Sequence, residues 1–194
     1  MSELTDEACR LIEQASEEER RIILAYIRER VPIHALPGLE EYGWQAVKVV
    51  GEQSYDFFLE RGNSQVRIQV KLQRKEKGEP KEYAAKSRAA LKCPPVTIHV
   101  VEVQKTRSGV VDGEKTRPYR FGDFDILAVS LHPSTGHWER FAFTVGSWLL
   151  PRKNDPALIE IMQPVAATPD EYWTDDLGQC IEWFLEGRTK RLYS

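Results

Sequence analysis

The sequence SYDFFLERGNSQVRIQVKL, residues 54–72, decides the fold of this chain. Its first part, residues 54–60, is rich in aromatic side chains, which favour β-strands. Residues 61–64 have the composition of a turn. Residues 65–72 alternate polar and apolar side chains, which is the period of a half-buried strand. The stretch therefore predicts a β-hairpin.

The alternation places the side chains of the second strand on two faces. The face predicted to be apolar consists of Val66, Ile68, Val70 and Leu72. The polar face consists of Gln65, Arg67, Gln69 and Lys71. Side chains two residues apart on one face lie about 6–7 Å apart along a strand. The hairpin is therefore expected to bring Asp56, on the first strand, beside Gln69 and Lys71.

An acid, an amide oxygen and a lysine at one sheet edge suit metal-assisted hydrolysis of a phosphodiester. The carboxylate of Asp56 and the side-chain oxygen of Gln69 are ligands that Mg²⁺ prefers. The ammonium group of Lys71 can bind the scissile phosphate and orient the attacking water. A bound metal would polarise the phosphoryl oxygen and lower the pKa of that water. The alternative is an edge hairpin with a solvated polar face.

These residues resemble the PD-(D/E)XK nuclease superfamily, which has the restriction-endonuclease-like fold. Asp56, separated by twelve residues from Gln69-Val70-Lys71, looks like the Asp…(Glu/Gln)-x-Lys signature of that superfamily. Tyr55 stands where the family usually has proline, and Gln69 replaces the usual second acid, which removes one charge from the site. The run TRPYRFGDFDILAV, residues 116–129, is similar to a later strand of such nucleases. The resemblance covers roughly residues 40–150.

The resemblance implies an α/β (α+β) fold with a central mixed sheet flanked by helices. It implies a Mg²⁺-dependent DNA endonuclease, similar to type II restriction enzymes of phage defence, in which Mn²⁺ can substitute. Asp56, Gln69 and Lys71 would be catalytic. The metal would be held by Asp56, Gln69, the Val70 carbonyl and an extra acid, Glu41. Double-stranded DNA would be the substrate of a homodimer that cuts one strand with each subunit.

Two other functions remain open. Because Gln69 removes a charge from the metal site, the chain can be a DNA-binding or structural protein that descends from a nuclease and no longer cuts. It can also be a DNA-repair or junction-resolving nuclease, which would prefer branched DNA. Metal-dependent cleavage would distinguish an endonuclease from the DNA-binding protein that does not cut. A preference for branched DNA would distinguish the junction-resolving nuclease from a restriction enzyme.

The net charge of −3 conceals a basic middle segment. Residues 61–120 hold fifteen Lys and Arg against six Asp and Glu, and the remaining residues hold twelve against twenty-four. A basic segment in an acidic chain is typical of a nucleic-acid groove, and also of a salt-bridged surface. The candidate DNA contacts are Arg74, Lys75, Lys77, Lys105, Arg107, Arg117 and Arg120.

The rest of the chain predicts the elements of such a core. Residues 1–35 are predicted to form a helical pair and residues 36–194 the nuclease domain. The remaining predicted elements are a strand over 44–50, a helix over 81–91, a strand over 96–104 parallel to the Lys71 strand, a hairpin over 121–131 and 138–145, an edge strand over 158–162, and a helix over 175–186 capped by Thr174.

Several rival sites and several exclusions also follow from the sequence. Asp123 and Asp125 form a second acidic pair, Glu102 and Lys105 a weaker Glu-x-x-Lys motif, and His132 and His137 flank a predicted turn. No phosphate-binding glycine loop follows a predicted strand, which argues against a nucleotide cofactor. No run of eighteen apolar residues predicts a membrane span. Three dispersed cysteines without a CxxC motif and an N-terminus without a signal pattern predict a cytoplasmic protein.

Overall fold

A computed structural model of the protein describes residue 16 and residues 43–47, 49, 53–105 and 117–194, with only the backbone of Arg117. The fold is mixed α+β. The strands are β1 (Gln45–Val47), β2 (Phe57–Arg61), β3 (Ser64–Leu72), β4 (Lys75–Glu76), β5 (Glu79–Pro80), β6 (Ile98–Glu102), β7 (Gln104–Lys105), β8 (Arg117–Pro118), β9 (Ile126–Ser130), β10 (Phe141–Val145) and β11 (Met162–Ala166). The helices are α1 (Ala85–Arg88), α2 (His132–Thr135) and α3 (Leu177–Leu185), and a 3-10 turn covers Gly146–Trp148.

The central sheet has five strands in the order β1-β2-β3-β9-β10. The predicted hairpin is confirmed: β2 and β3 pair antiparallel from Phe57 opposite Ile68 to Arg61 opposite Ser64. Gly62 in the turn has φ +59°, a conformation that glycine adopts without strain. β3 and β9 are parallel, whereas β9 and β10 are antiparallel. The sheet is therefore mixed, as the resemblance to the nuclease superfamily implies.

The predicted parallel pairing of the 96–104 strand with the Lys71 strand is wrong. β6 pairs antiparallel with β11 in a separate two-stranded sheet, and the parallel neighbour of β3 is β9. A parallel crossover would usually use a connecting helix, but the chain between β3 and β6 forms the β4–β5 hairpin and pairs with β6 itself. The predicted helix over 81–91 is reduced to the single turn α1, because the backbone of Lys81 and Tyr83 hydrogen-bonds to β6 at 3.0 and 2.9 Å.

β3 continues past its last ladder residue into the second sheet. The backbone nitrogen of Gln73 donates to the oxygen of Ser130, at the end of β9, at 3.0 Å. The next nitrogen, that of Arg74, donates to Val100 of β6 at 2.8 Å. The chain then forms the small β4–β5 hairpin. The carboxyl end of β3, which carries Lys71, therefore lies where the two sheets meet.

The carboxyl-terminal elements differ slightly from their predicted bounds. The strand expected over 158–162 is displaced to β11, while Leu158 and Ile159 make isolated bridges to Arg120 and Pro151. The last helix is confirmed as α3, but Asp176 caps it in place of Thr174. The Asp176 side chain accepts from the backbone nitrogen of Gln179 at 3.1 Å.

Described residues from 43 onward belong to one compact unit, Leu36–Ser194. Its main buried cluster joins the central sheet to β6, β11 and the carboxyl-terminal residues. It includes Val101, Leu127, Val129, Leu149, Val165 and Trp173. The predicted helical pair, the boundary near residue 35 and Glu41 lie outside the described residues. Within the described residues, no helix has the length and apolar character needed to cross a membrane.

Candidate active site

The hairpin brings the predicted site residues into direct contact. Asp56 immediately precedes β2, and its backbone nitrogen donates to the oxygen of Ile68 at 2.9 Å. Its carboxylate oxygen Oδ2 accepts a hydrogen bond from Nε2 of Gln69 and another from the backbone N–H of Val70 at 2.8 Å. Nε2 of Gln69 also donates to the Val70 carbonyl at 3.0 Å. Asp56, Gln69 and Val70 therefore form one hydrogen-bonded cluster.

The Asp56 carboxylate also completes the hydrogen bonding of β3. β2 pairs with β3 only as far as Ile68, so the N–H of Val70 has no strand partner on that side. On the opposite side, the N–H of Arg67 lies before the start of β9 and donates to Asp125 Oδ2 at 2.8 Å. Two carboxylates thus cap the backbone of β3, and Asp56 has a structural purpose besides any chemical one.

Gln69 is buried, although the alternation placed it on the solvated face. It is 3% exposed, and Leu72, predicted to face the core, is 45% exposed. Tyr119 contributes to this burial, because its hydroxyl donates to Oε1 of Gln69 at 3.0 Å. The period-two pattern is therefore wrong at the carboxyl end of β3.

Lys71 lies half-buried next to the same cluster. Its Nζ donates to the Gln104 carbonyl at 3.0 Å and lies 3.5 Å from the Tyr119 hydroxyl. A chain of polar contacts thus runs from Lys71 through Tyr119 and Gln69 to Asp56. This chain joins the candidate phosphate-binding group to the candidate metal ligands.

The donor set fits a hard cation. Asp56 Oδ2 and the Val70 carbonyl both face Nε2 of Gln69, so two oxygens already converge on one positively polarised group. Magnesium and manganese prefer such oxygen ligands. Within the described residues, no three His, Cys, Asp or Glu side chains come together. Among the described residues that contact one another here, Asp56 supplies the carboxylate, and Gln69 and Val70 supply amide oxygens.

The rival acids are engaged elsewhere. Asp123 and Asp125 fall within the strand predicted over 121–131, but they lie in a turn before β9. Asp125 pairs with the guanidinium of Arg67 at 2.7 Å, and this hydrogen bond raises the pKa of Arg67. Asp123 accepts from the backbone nitrogen of Arg120 and lies 3.1 Å from Nζ of Lys105.

The other rival motifs also make internal contacts. Glu102 forms a salt bridge with Arg74 and accepts from the Gln104 side chain, while Lys105 pairs with Asp123. His132 stacks on Trp138 with ring centres 3.9 Å apart, and His137 lies 3.3 Å from Glu139. The two histidines therefore have separate partners.

The predicted DNA contacts divide into two groups. Arg74 and Lys105 are held in the salt bridges with Glu102 and Asp123. Lys75 and Lys77 lie exposed on the β4–β5 hairpin, and Arg120 is exposed after β8. Arg107 and the side chain of Arg117 lie outside the described residues.

Sequence reasoning missed Tyr119 as a site residue. Its ring is 4% exposed and packs edge-to-face on Phe124 with centres 5.3 Å apart. The ammonium groups of Lys71 and Lys105 lie 5.3 and 5.2 Å from its ring centre. The signal was its position within residues 116–129, the second stretch that resembles the nuclease superfamily.

Comparisons with known proteins add little at the level of sequence. No protein-family model matches the chain. No curated protein matches it either. A solved structure of a bacterial homing endonuclease aligns with a TM-score of 0.44 and 16% sequence identity, covering 84% of this chain and 91% of that chain.

Proposed function

We propose that the protein is a metal-dependent DNA endonuclease with a restriction-endonuclease-like core. The observation that carries the proposal is the contact between Asp56, Gln69 and Val70, with Lys71 joined to them through Tyr119. Hairpin pairing alone accounts for Asp56 lying beside Gln69, but it does not account for the link of Lys71 to the same cluster through Tyr119. Here the residues of the pattern lie together at the carboxyl end of β3, in a mixed sheet.

In this proposal Asp56, Gln69 and the Val70 carbonyl hold Mg²⁺, or Mn²⁺ in its place. When bound, the metal polarises the phosphoryl oxygen and lowers the pKa of the attacking water. Lys71 contacts a non-bridging oxygen of the scissile phosphate and orients that water. Glu41 is the candidate for an additional ligand.

The finer features of the proposal are those of a type II restriction enzyme. Its substrate would be double-stranded DNA, and a homodimer would cut both strands. Lys75, Lys77 and Arg120 are exposed, so their side chains can reach phosphates from the surface. Phage defence in the cytoplasm would be its setting.

Cleavage of plasmid and phage DNA, methylated and unmethylated, tests the proposal in Mg²⁺, Mn²⁺ or EDTA. Lys71→Ala and Asp56→Asn should abolish cleavage, because each removes a group of the site. Asn retains an oxygen that can accept from Val70, so the fold should survive. Exposed Lys153→Ala and Asp175→Asn are matched controls that should cut normally. Cleavage by both site variants at the wild-type rate contradicts the proposal.

One observation favours a second function, a DNA-binding protein that does not cut. Nε2 of Gln69 donates hydrogen bonds to both Asp56 Oδ2 and the Val70 carbonyl, so these oxygens need no cation as a partner. Such a protein should bind DNA equally well in EDTA and cleave no substrate. Including a branched DNA in the assay also tests a junction-resolving nuclease.

A further inference from the structure

Tyr119 is the side chain that connects the candidate metal ligands to Lys71. Its hydroxyl donates to Oε1 of Gln69 at 3.0 Å, and both residues are buried. Its ring is fixed by edge-to-face contact with Phe124 and by two flanking ammonium groups, those of Lys71 and Lys105. The position of the hydroxyl is therefore set by the ring contacts as well as by Gln69.

The amide of Gln69 presents its nitrogen to the oxygens that would hold a cation. Nε2 donates to Asp56 Oδ2 and to the Val70 carbonyl, while Oε1 accepts from Tyr119. A cation held between these two oxygens would need the space that Nε2 of Gln69 now occupies. Turning the amide over exchanges its two ends and directs Oε1 toward Asp56 and Val70.

A buried amide can turn over only if its nitrogen finds an acceptor, because an unpaired buried donor is costly. A tyrosine hydroxyl both donates and accepts hydrogen bonds. We propose that Tyr119 is a positioning residue whose hydroxyl hydrogen-bonds to Gln69 in both amide orientations. Gln69 can then turn its nitrogen away from Asp56 and Val70, which leaves their oxygens to a divalent cation. This inference rests on the proposed function, since it assumes a cation at these residues.

The first test is Mn²⁺ binding by Tyr119→Phe without DNA, followed through the electron paramagnetic resonance signal of unbound Mn²⁺. The substitution keeps the ring and removes only the hydroxyl. Affinity should fall several-fold, because the bound state then leaves a buried N–H without an acceptor, whereas the metal-free state leaves only the Oε1 acceptor unpaired, which costs less. Tyr193→Phe is the matched control. It removes another buried hydroxyl, one that donates to Asp170 at 2.8 Å, and should leave Mn²⁺ affinity unchanged.

A second measurement needs no tyrosine variant, so it stands even if Tyr119→Phe fails to fold. The side-chain amide signals of Gln69, identified by their loss in Gln69→Glu, should shift in the nitrogen–proton NMR spectrum when Mg²⁺ is added. A hydroxyl with a purely structural purpose would change the stability of Tyr119→Phe but not its Mn²⁺ affinity.

The outcomes separate this inference from the proposed function. Suppose that Asp56→Asn abolishes Mn²⁺ binding, while Tyr119→Phe binds as wild type or the Gln69 signals do not move. The inference about Tyr119 is then overturned, and the metal site stands. If wild type binds no Mn²⁺, or Asp56→Asn binds it equally well, the metal site is wrong and both proposals fall.

Discussion

Asp125 accepts three hydrogen bonds from Arg67: from the backbone nitrogen at 2.8 Å, from Nε at 2.9 Å and from Nη2 at 2.7 Å. The carboxylate is thereby committed to β3 and not to a metal. We expect Asp125→Ala to lower the free energy of unfolding by about 1–2 kcal/mol, because it leaves a backbone donor and part of a guanidinium without their partner. Denaturant unfolding measures this.

The control for Asp125 is Asp175→Ala, an exposed aspartate, which should change stability by less than about 0.5 kcal/mol. Mn²⁺ affinity should be the same in Asp125→Ala and in wild type. A large loss of affinity would mean that Asp125 is a ligand after all.

Gln69→Glu is expected to make folding depend on metal. In EDTA the new carboxylate replaces a hydrogen bond to Asp56 with a like-charge contact at a buried position, so the Tm should fall. Saturating Mn²⁺ should restore it, because a ligand that binds only the folded state stabilises that state. Thermal unfolding in EDTA and in Mn²⁺ measures both effects.

The chain supplies a matched control on the same hairpin. Gln65 Nε2 donates to Glu60 Oε1 at 2.8 Å, but this pair is exposed. Gln65→Glu creates the same like-charge contact in solvent, where its cost is small and Mn²⁺ should not relieve it. Equal behaviour of the two variants would argue against a metal at Gln69.

The β4–β5 hairpin is expected to contribute to DNA affinity through Lys75 and Lys77. Replacing both with Gln should weaken binding and reduce the slope of log affinity against log salt by about 0.9 for each phosphate that these lysines neutralise. Fluorescence anisotropy in the Asp56→Asn background avoids cleavage. Lys86→Gln, an exposed lysine of α1, is the control and should leave the slope unchanged.

Arg74→Ala should behave differently from these two lysines. Its guanidinium is paired with Glu102, so its loss should lower the free energy of unfolding. The slope of log affinity against log salt should change little. An effect on the slope equal to that of Lys75 would show that Arg74 contacts phosphate directly.

His99 is expected to make stability depend on pH. It is 9% exposed, and its Nδ1 has no hydrogen-bond partner among the described residues. Burial lowers the pKa of His99, and the nearby charge of Glu82 only partly opposes this. The unfolded chain therefore takes up a proton at about pH 6.5, while the folded state does so only at lower pH. Stability is thus fully present above about pH 6.5 and declines below it.

Denaturant midpoints on either side of that pH check this prediction. His99→Gln should flatten the decline, whereas His137→Gln, at an exposed histidine, should retain it. A decline of the same size in His99→Gln would assign the pH dependence to other groups.

The parts of the fold that depend on residues close together in the sequence could be predicted from it. Alternation and turn composition indicated the β2–β3 hairpin, and hairpin pairing alone places Asp56 beside Gln69. The parallel partner of β3 could not be predicted, because β9 begins 54 residues after the end of β3 and no local pattern specifies that pairing. The helix expected over 81–91 failed because backbone pairing with β6 outweighed its propensity.

In the candidate site, too, the contacts made within the hairpin could be predicted from the sequence, and the long-range contacts could not. The cluster of Asp56, Gln69 and Val70 follows from one hairpin and one superfamily pattern. The burial of Gln69 does not, because it depends on Tyr119, which is brought there by long-range packing. The amide orientation of Gln69 likewise follows from its contacts and not from its spacing.

The Val70 N–H donates its hydrogen bond to the side chain of Asp56. The hydrogen-exchange rate of this amide, near the carboxyl end of β3, therefore reports on the Asp56 carboxylate. In an ordinary sheet, deuterium enters such a position only when strands separate. Here the protecting acceptor is a carboxylate, so engagement of that carboxylate by a cation should change the exchange rate at Val70. The same exchange experiment would leave Ile68, paired within the ladder, unaffected. The backbone of this protein can therefore be used to follow its candidate site in the absence of DNA.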